Sequence, residues 1–272
     1  MSGDAPWVVS DELWGLVESL LPVKQRRSRY PGRRRLPDRA VLSGILFVLH
    51  TGIPWMHLPR ELGFGSGYTC WRRLDEWQRA GVWDKLHALL LTRLRAAGEI
   101  EWSRAIVDGS HPGEKGGSET GPSPVDRARN GSKHHLLVDA NGLPLAYALT
   151  GGNRHDVTQL IPLLDRVPAV AGVAGRPRRR PDTLLADRGY DYEKYRRLVR
   201  ARGIRPIIAR RQTDHGSGLG NARWVVERTF AWLHQFKRLL VRYERRAEMH
   251  EAMLAIGCCL ICFRRYRELI LQ

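Results

Sequence analysis

Ala105-Ile106-Val107-Asp108 decides how the second half of the chain is read. A short apolar run ending on an acid, bounded by polar residues and Gly109-Ser110, is the pattern of a buried strand with a carboxylate at its carboxyl end. The pattern returns in Leu184-Leu185-Ala186-Asp187. Two such strands lying side by side would set two carboxylates next to each other.

Working outward, His134–Asp139 and Pro144–Leu149 flank Ala140-Asn141-Gly142, and Asn-Gly between apolar runs predicts a hairpin. A short helix is expected over Asp156–Leu164 and a fourth strand over Thr183–Ala186. An Arg-rich helix, Tyr192–Arg202, is closed by Gly203, and Arg205–Ala209 forms a fifth strand. Helices over Ala222–Leu240 and Met249–Leu269 complete the chain. Pro112–Gly131 and Gln212–Asn221 read as polar, Gly-rich loops. Strand, hairpin, helix, strand, helix, strand, helix is the order of the ribonuclease H-like α/β fold, a mixed five-stranded sheet with flanking helices. Strands one and four are then neighbours, and open α/β sheets bind ligands at the carboxyl ends of their strands.

The preceding part reads as helical. Ser10 caps a helix over Asp11–Leu21, Pro37 opens one over Asp38–His50, and Gly52 closes it. After Pro59–Leu62 and a Gly-rich turn, a helix over Tyr68–Arg79 completes a helix-turn-helix-like arrangement, followed by an amphipathic helix over Leu86–Leu94. Helical spacing turns Trp71, Leu74 and Trp77 to the core and leaves Arg72, Arg73 and Arg79 outside, where they could meet DNA; the alternative is a helix with a plain packing role. The expected division is a helical DNA-binding domain over 1–100 and an α/β domain over 101–272.

Forty-five Lys and Arg against 28 Asp and Glu leave a formal charge of +17. The excess is clustered at Arg26-Arg27, Arg33-Arg34-Arg35, Arg178-Arg179-Arg180, Arg210-Arg211 and Arg264-Arg265, which points to a polyanionic partner. No charged start followed by an apolar stretch marks a signal peptide, and the longest apolar run, near Ala255–Phe263, falls short of the ~20 residues a spanning helix needs. A cytoplasmic, nucleoid-associated protein without membrane contact is expected. Cys258, Cys259 and Cys262 share that apolar segment and Cys70 stands alone, so reduced core thiols are expected rather than zinc ligands.

A third acid, Glu227, lies within the helical stretch Ala222–Leu240. At about 100° per residue, Arg223, His234 and Arg238 fall within roughly 40° of Glu227, opposite an apolar face of Val225, Val226, Trp232, Leu233, Phe236, Leu239 and Leu240. Either Glu227 is a solvated residue pairing with Arg223, or it joins Asp108 and Asp187 in an oxygen cage for Mg²⁺ or Mn²⁺.

Val107-Asp108-Gly109-Ser110-His111, Gly151-Gly152-Asn153-Arg154-His155-Asp156, Ala186-Asp187-Arg188-Gly189-Tyr190-Asp191 and Arg223-Trp224-Val225-Val226-Glu227-Arg228-Thr229-Phe230-Ala231-Trp232-Leu233 resemble the motifs of bacterial insertion-sequence transposases of the DDE class, in the IS4/IS5 group. Trp14, Leu20-Leu21-Pro22, Arg39–Ile45 and Thr51-Gly52-Ile53-Pro54-Trp55 are similar to the helical DNA-binding region of that group. The family's third motif carries a Tyr where this chain has Gly220 and a Lys where it has His234. The resemblance implies metal-dependent strand cleavage at terminal inverted repeats, joining to target DNA, and a homodimer on DNA. It implies Asp108, Asp187 and Glu227 as catalytic metal ligands, with Asp108 bridging two ions. Arg223, His234 and Arg238 are the expected cations for phosphates. Lys133, Arg188 and His111 are either further phosphate contacts or surface and loop residues. A DNA-binding protein without catalysis, or a nuclease of the same fold that cuts without joining, are the alternatives.

Overall fold

The computed structural model describes residues 5–25, 28–29, 34–114, 117–122, 130–212 and 220–271. The foci Arg26-Arg27 and Arg33, and parts of both polar loops (115–116, 123–129 and 213–219), lie outside the described residues. The helical half comprises α1 (Asp11–Glu18), α2 (Asp38–Thr51), α3 (Gly67–Arg79) and α4 (Val82–Ala96), with 3-10 turns at Trp55–His57 and Arg60–Leu62 between α2 and α3. Ser10 Oγ accepts from the Leu13 N–H, and Gly52 ends α2 at φ 73°. At Gly67 the chain passes the Trp55 carbonyl so closely that a Cβ would stand 1.6 Å from that oxygen.

The strands are β1 (Ala105–Ser110), β2 (Gly113–Glu114), β3 (Gly121–Pro122), β4 (Asn130–Asp139), β5 (Pro144–Gly151), β6 (Thr183–Ala186), β7 (Arg205–Ile208) and β8 (Val241–Arg242). The main sheet runs β5-β4-β1-β6-β7, with β3 adding a short antiparallel pair at Gly131 and Asn130. β1, β4 and β5 are antiparallel, and β1, β6 and β7 are parallel. This order and sense of strands is the ribonuclease H-like arrangement. Between β5 and β6 lies α5 (Leu160–Arg166), and between β6 and β7 lies α6 (Glu193–Arg200). Beyond them, α7 (Gly220–His234), α8 (Lys237–Leu240) and α9 (Ala247–Ile270) close the chain.

One continuous apolar core joins the two halves. Ile45, Leu49, Trp77 and Leu90 of the helical half and Ile106, Leu136 and Leu184 of the sheet belong to the same buried cluster as Met253, Leu254 and Phe263 of α9. α9 packs on α3, α4 and β5, so its long apolar face is a buried seam. All four cysteines are free and buried, and burial pushes the Cys70 thiol up to about 12. Among the described residues no helix is long and apolar enough to cross a membrane.

Asp139 ends β4 and organises the hairpin. Its Oδ1 accepts from the Asn141 and Leu143 N–H groups and its Oδ2 from Glu101, and the side chain is fully buried. Burial pushes this carboxyl up to about 6, against those N–H bonds. Asp139→Ala leaves the buried Leu143 N–H and the part-buried Glu101 and Asn141 N–H groups without their acceptor and is expected to cost about 2 kcal/mol, since an unmet buried group costs roughly 1–3 kcal/mol. Chemical denaturation checks this; an unchanged midpoint would show that the hairpin does not depend on the carboxylate.

Candidate active site

β1 and β6 pair in parallel with Ala105 opposite Leu184 and Ile106 opposite Leu185, an offset of 79 residues. Asp187 − Asp108 is also 79, so the two acids leave the sheet at the same level. Asp108 Oδ1 accepts from its neighbour's N–H, Gly109, at 2.8 Å, and Asp187 Oδ1 accepts from Gly189 N–H at 2.8 Å. The remaining oxygens converge on one cation. Arg223 Nη2, from α7, lies 3.0 Å from Asp108 Oδ2 and 3.8 Å from Asp187 Oδ2. Burial pushes the Asp108 carboxyl above its ordinary range, opposed by Gly109 and Arg223 and reinforced by the Asp187 charge. Burial works to lower the Arg223 guanidinium, but Asp108, Asp187 and Glu227 hold it above its usual value.

Glu227 is exposed one turn beyond Arg223, on the same side of α7. The structure thus brings Asp108 and Asp187 together around Arg223, with Glu227 at the margin. Among the described residues no three His, Cys, Asp or Glu side chains are gathered as a ready metal cage.

A second set of groups adjoins the acids. Lys133 Nζ reaches Asp156 Oδ1 at 2.9 Å and the Arg154 carbonyl at 2.8 Å. His135 Nε2 is 2.7 Å from Thr150 Oγ1, and a Cβ at Gly109 would stand 3.0 Å from Asp156 Oδ1 and 3.3 Å from His135 Nδ1. The backbone beside Asp108 therefore touches the Lys133–Asp156 pair. Tyr190 is buried, and its hydroxyl has no hydrogen-bond partner among the described residues; burial, then Asp108, Asp156 and Asp187, raise its phenol well above the ordinary value. Sequence reading passed over His135, whose only signal was a polar residue inside an apolar strand.

Comparison with known proteins decides the family. Residues 103–262 match the family described as "Transposase DDE domain", and residues 9–87 match "Putative transposase of IS4/5 family". The "Putative transposase for insertion sequence element IS402" of Burkholderia cepacia is 60% identical over 165 residues, 61% of this chain and 77% of that protein. An IS402 16.2 kDa protein of the same organism is 61% identical over 104 residues, 38% of this chain and 71% of its own. Among solved structures, the catalytic domain of Mos1 mariner transposase is similar at TM-score 0.28 and 12% identity, over 68% of this chain and 91% of that one. The chain belongs to the DDE transposases of the IS4/5 group.

A DDE transposase depends on divalent metal, and the acid pair fits one. Two hard oxygen donors converge on a single point, and a cation, the Arg223 guanidinium, already stands there. A divalent ion there would compete with Arg223. Arg223→Ala is accordingly expected to tighten Mn²⁺ binding severalfold, read by paramagnetic resonance titration; unchanged affinity would contradict that competition.

The transposase's other expected phosphate cations are placed differently. Arg238 is not on the Glu227 face, because α7 ends at His234 and Phe236 is extended before α8. Arg238 is buried, with Nε 2.6 Å from Glu244 Oε1 and Nη1 3.1 Å from the carbonyls of both Gly52 and Ile53. Lys133, buried, is held by Asp156 rather than presented to solvent. Arg73 is buried as well: α3 turns it onto Asp38 and Glu76, its guanidinium 5.7 Å from the Trp77 ring. Arg72 stays at the surface over Tyr68, and Arg79 is exposed beside Asp75. His111 is exposed just past β1, and Arg188 is half-buried directly after Asp187. His234 Nε2 lies 3.5 Å from Ser110 Oγ, and burial depresses its imidazole. Arg238→Gln, which strands the buried Glu244 charge, is expected to cost about 3 kcal/mol of stability and to leave the salt dependence of DNA binding unchanged; a changed salt slope with an unchanged melt would reverse that assignment.

Proposed function

We propose that this transposase binds the terminal inverted repeats of an insertion sequence, cleaves a strand at the repeat end and joins it to target DNA. The observation that carries this is the in-register pair Asp108 and Asp187, facing one cation at the carboxyl ends of parallel strands. In this reading Asp108, Asp187 and Glu227 would hold Mg²⁺ or Mn²⁺, two ions in all. Such ions would supply Lewis-acid stabilisation of the phosphodiester oxygens and would lower the pKa of the attacking water or 3′-hydroxyl.

The chain's own residues set the geometry. The sheet fixes the spacing of the two aspartates, and the Gly109 and Gly189 N–H groups hold one oxygen of each. Arg223, once released from the acids, is within reach of a phosphate that approaches them, and its planar fork suits that oxygen geometry. Arg188, His111 and His234 border the same edge as further phosphate contacts. The helical part, residues 1–100, with Arg72 exposed on α3, is the DNA-binding domain in this account, and 101–272 the catalytic one. Two ends must meet, so a homodimer on DNA is proposed.

A labelled duplex carrying the terminal repeat, incubated with Mg²⁺, is expected to be nicked at the repeat end, and Asp187→Asn is expected to lower that rate by at least 10³-fold. Retarded but uncut duplex with either metal would favour a protein that binds DNA without catalysis. Nicked product that never joins to a target would favour a nuclease.

A further inference from the structure

The basic focus before β6 is not absorbed by the acid site. Arg176, Arg178, Arg179 and Arg180, with Arg95 from α4, line a cleft of about 620 Å³ that carries no acidic lining residue. Three of these guanidiniums are tied down. Arg95 donates to the Val170 carbonyl, Arg180 Nη1 to the Arg202 carbonyl at 2.7 Å, and Arg178 pairs with Asp182 while lying 5.4 Å from the Trp102 ring. The backbone pairing of Val170 with Arg178 closes the loop that carries them. Arg176 and Arg179 are exposed and have no ion pair or hydrogen bond among the described residues.

The cleft's position separates it from the acids. It precedes Thr183 at the amino end of β6, whereas Asp187 follows Ala186 at the carboxyl end. At about 3.3 Å per residue, the four residues of β6 put roughly 13 Å of sheet between the two edges. Fixed guanidiniums with free ones beside them suit a run of phosphates, because Arg presents a planar fork to phosphate oxygens and little ordering remains to be done. The residues that line the cleft are arginines with Ala169 and Pro177, and the nearby Trp102 ring is covered by Arg178, so no aromatic platform is offered to unpaired bases. The recognised feature is the backbone of a duplex.

We propose that the Arg176–Arg180 cleft grips the phosphate backbone of a duplex segment distinct from the one cut at Asp108 and Asp187. This rests on the transposase reading for the identity of the polyanion.

The test uses full-length protein and two duplexes. A fluorescent terminal-repeat duplex reports Mg²⁺-dependent nicking. A biotinylated 25-base-pair duplex without repeat sequence reports capture of a second DNA by protein already saturated with the first. Arg176→Gln with Arg179→Gln is expected to lower capture at least fivefold and to flatten the slope of log K against log salt by about 1–2, near 0.9 for each phosphate no longer neutralised. Nicking is expected to be unchanged. Arg176→Lys with Arg179→Lys, which keeps the charge but not the fork, is expected to restore the salt slope and part of the capture. Equal capture by wild type and the Gln variant would overturn the proposal. So would a Lys variant as poor as the Gln variant, or loss confined to an RNA hairpin or to phosphatidylserine vesicles with duplex capture intact. Wild-type protein that captures duplex without nicking would count against the strand-cleavage reading while leaving the cleft's role supported.

Discussion

The site depends on the parallel pairing of β1 with β6. Parallel strands need a crossover, and here β4, β5 and α5 fill the long connection before the chain returns beside β1. The offset of that pairing equals the spacing of the two aspartates, so the carboxylates emerge level with one another. A slip of one residue would turn one of them to the opposite face of the sheet. The apolar residues that precede each acid, all buried, lock the register: Ala105, Ile106 and Val107 on one strand, Leu184, Leu185 and Ala186 on the other.

Two carboxylates held level on adjacent strands repel each other, and partial burial of Asp108 adds to the cost. Arg223 relieves both. Its position is fixed by the apolar face of α7, where Val225, Val226, Phe230 and Leu233 are buried. Further back, a buried polar chain ties the site to the helical half. His134, the cross-strand partner of Ser110, lies 2.8 Å from His250 on α9, Nε2 to Nε2. His250 Nδ1 is 3.4 Å from Glu244, which pairs with Arg238, which in turn holds the Gly52 and Ile53 carbonyls at the end of α2. Burial depresses both imidazoles. A chain of hydrogen bonds and ion pairs thus runs from the end of α2 through Glu244 and α9 to His134, beside β1.

Much of this was legible in the sequence. Apolar runs ending in acids, the Asn-Gly turn, and caps at Ser10 and Gly52 are local signals, and each element they indicate is present within a few residues. The misplacements share a cause. Helical angle alone put Arg73 outside and Arg238 beside Glu227. Whether an arginine faces water or a buried acid depends on partners distant in sequence: Asp38 for Arg73, and Glu244 with the Gly52 and Ile53 carbonyls for Arg238. The break at Phe236, where the ring packs against His50 at 4.9 Å, is likewise a tertiary effect without a Gly or Pro to announce it. Arg223 was correctly placed near Glu227, but its bridging of both aspartates required the register of β1 with β6.

The most direct measurement is anomalous diffraction from crystals grown with Mn²⁺ and terminal-repeat duplex. Manganese is expected on Asp108, Asp187 and Glu227, with the Arg223 guanidinium withdrawn from both aspartates. Manganese bound elsewhere, with Arg223 still bridging the two aspartates beside the DNA, would contradict it.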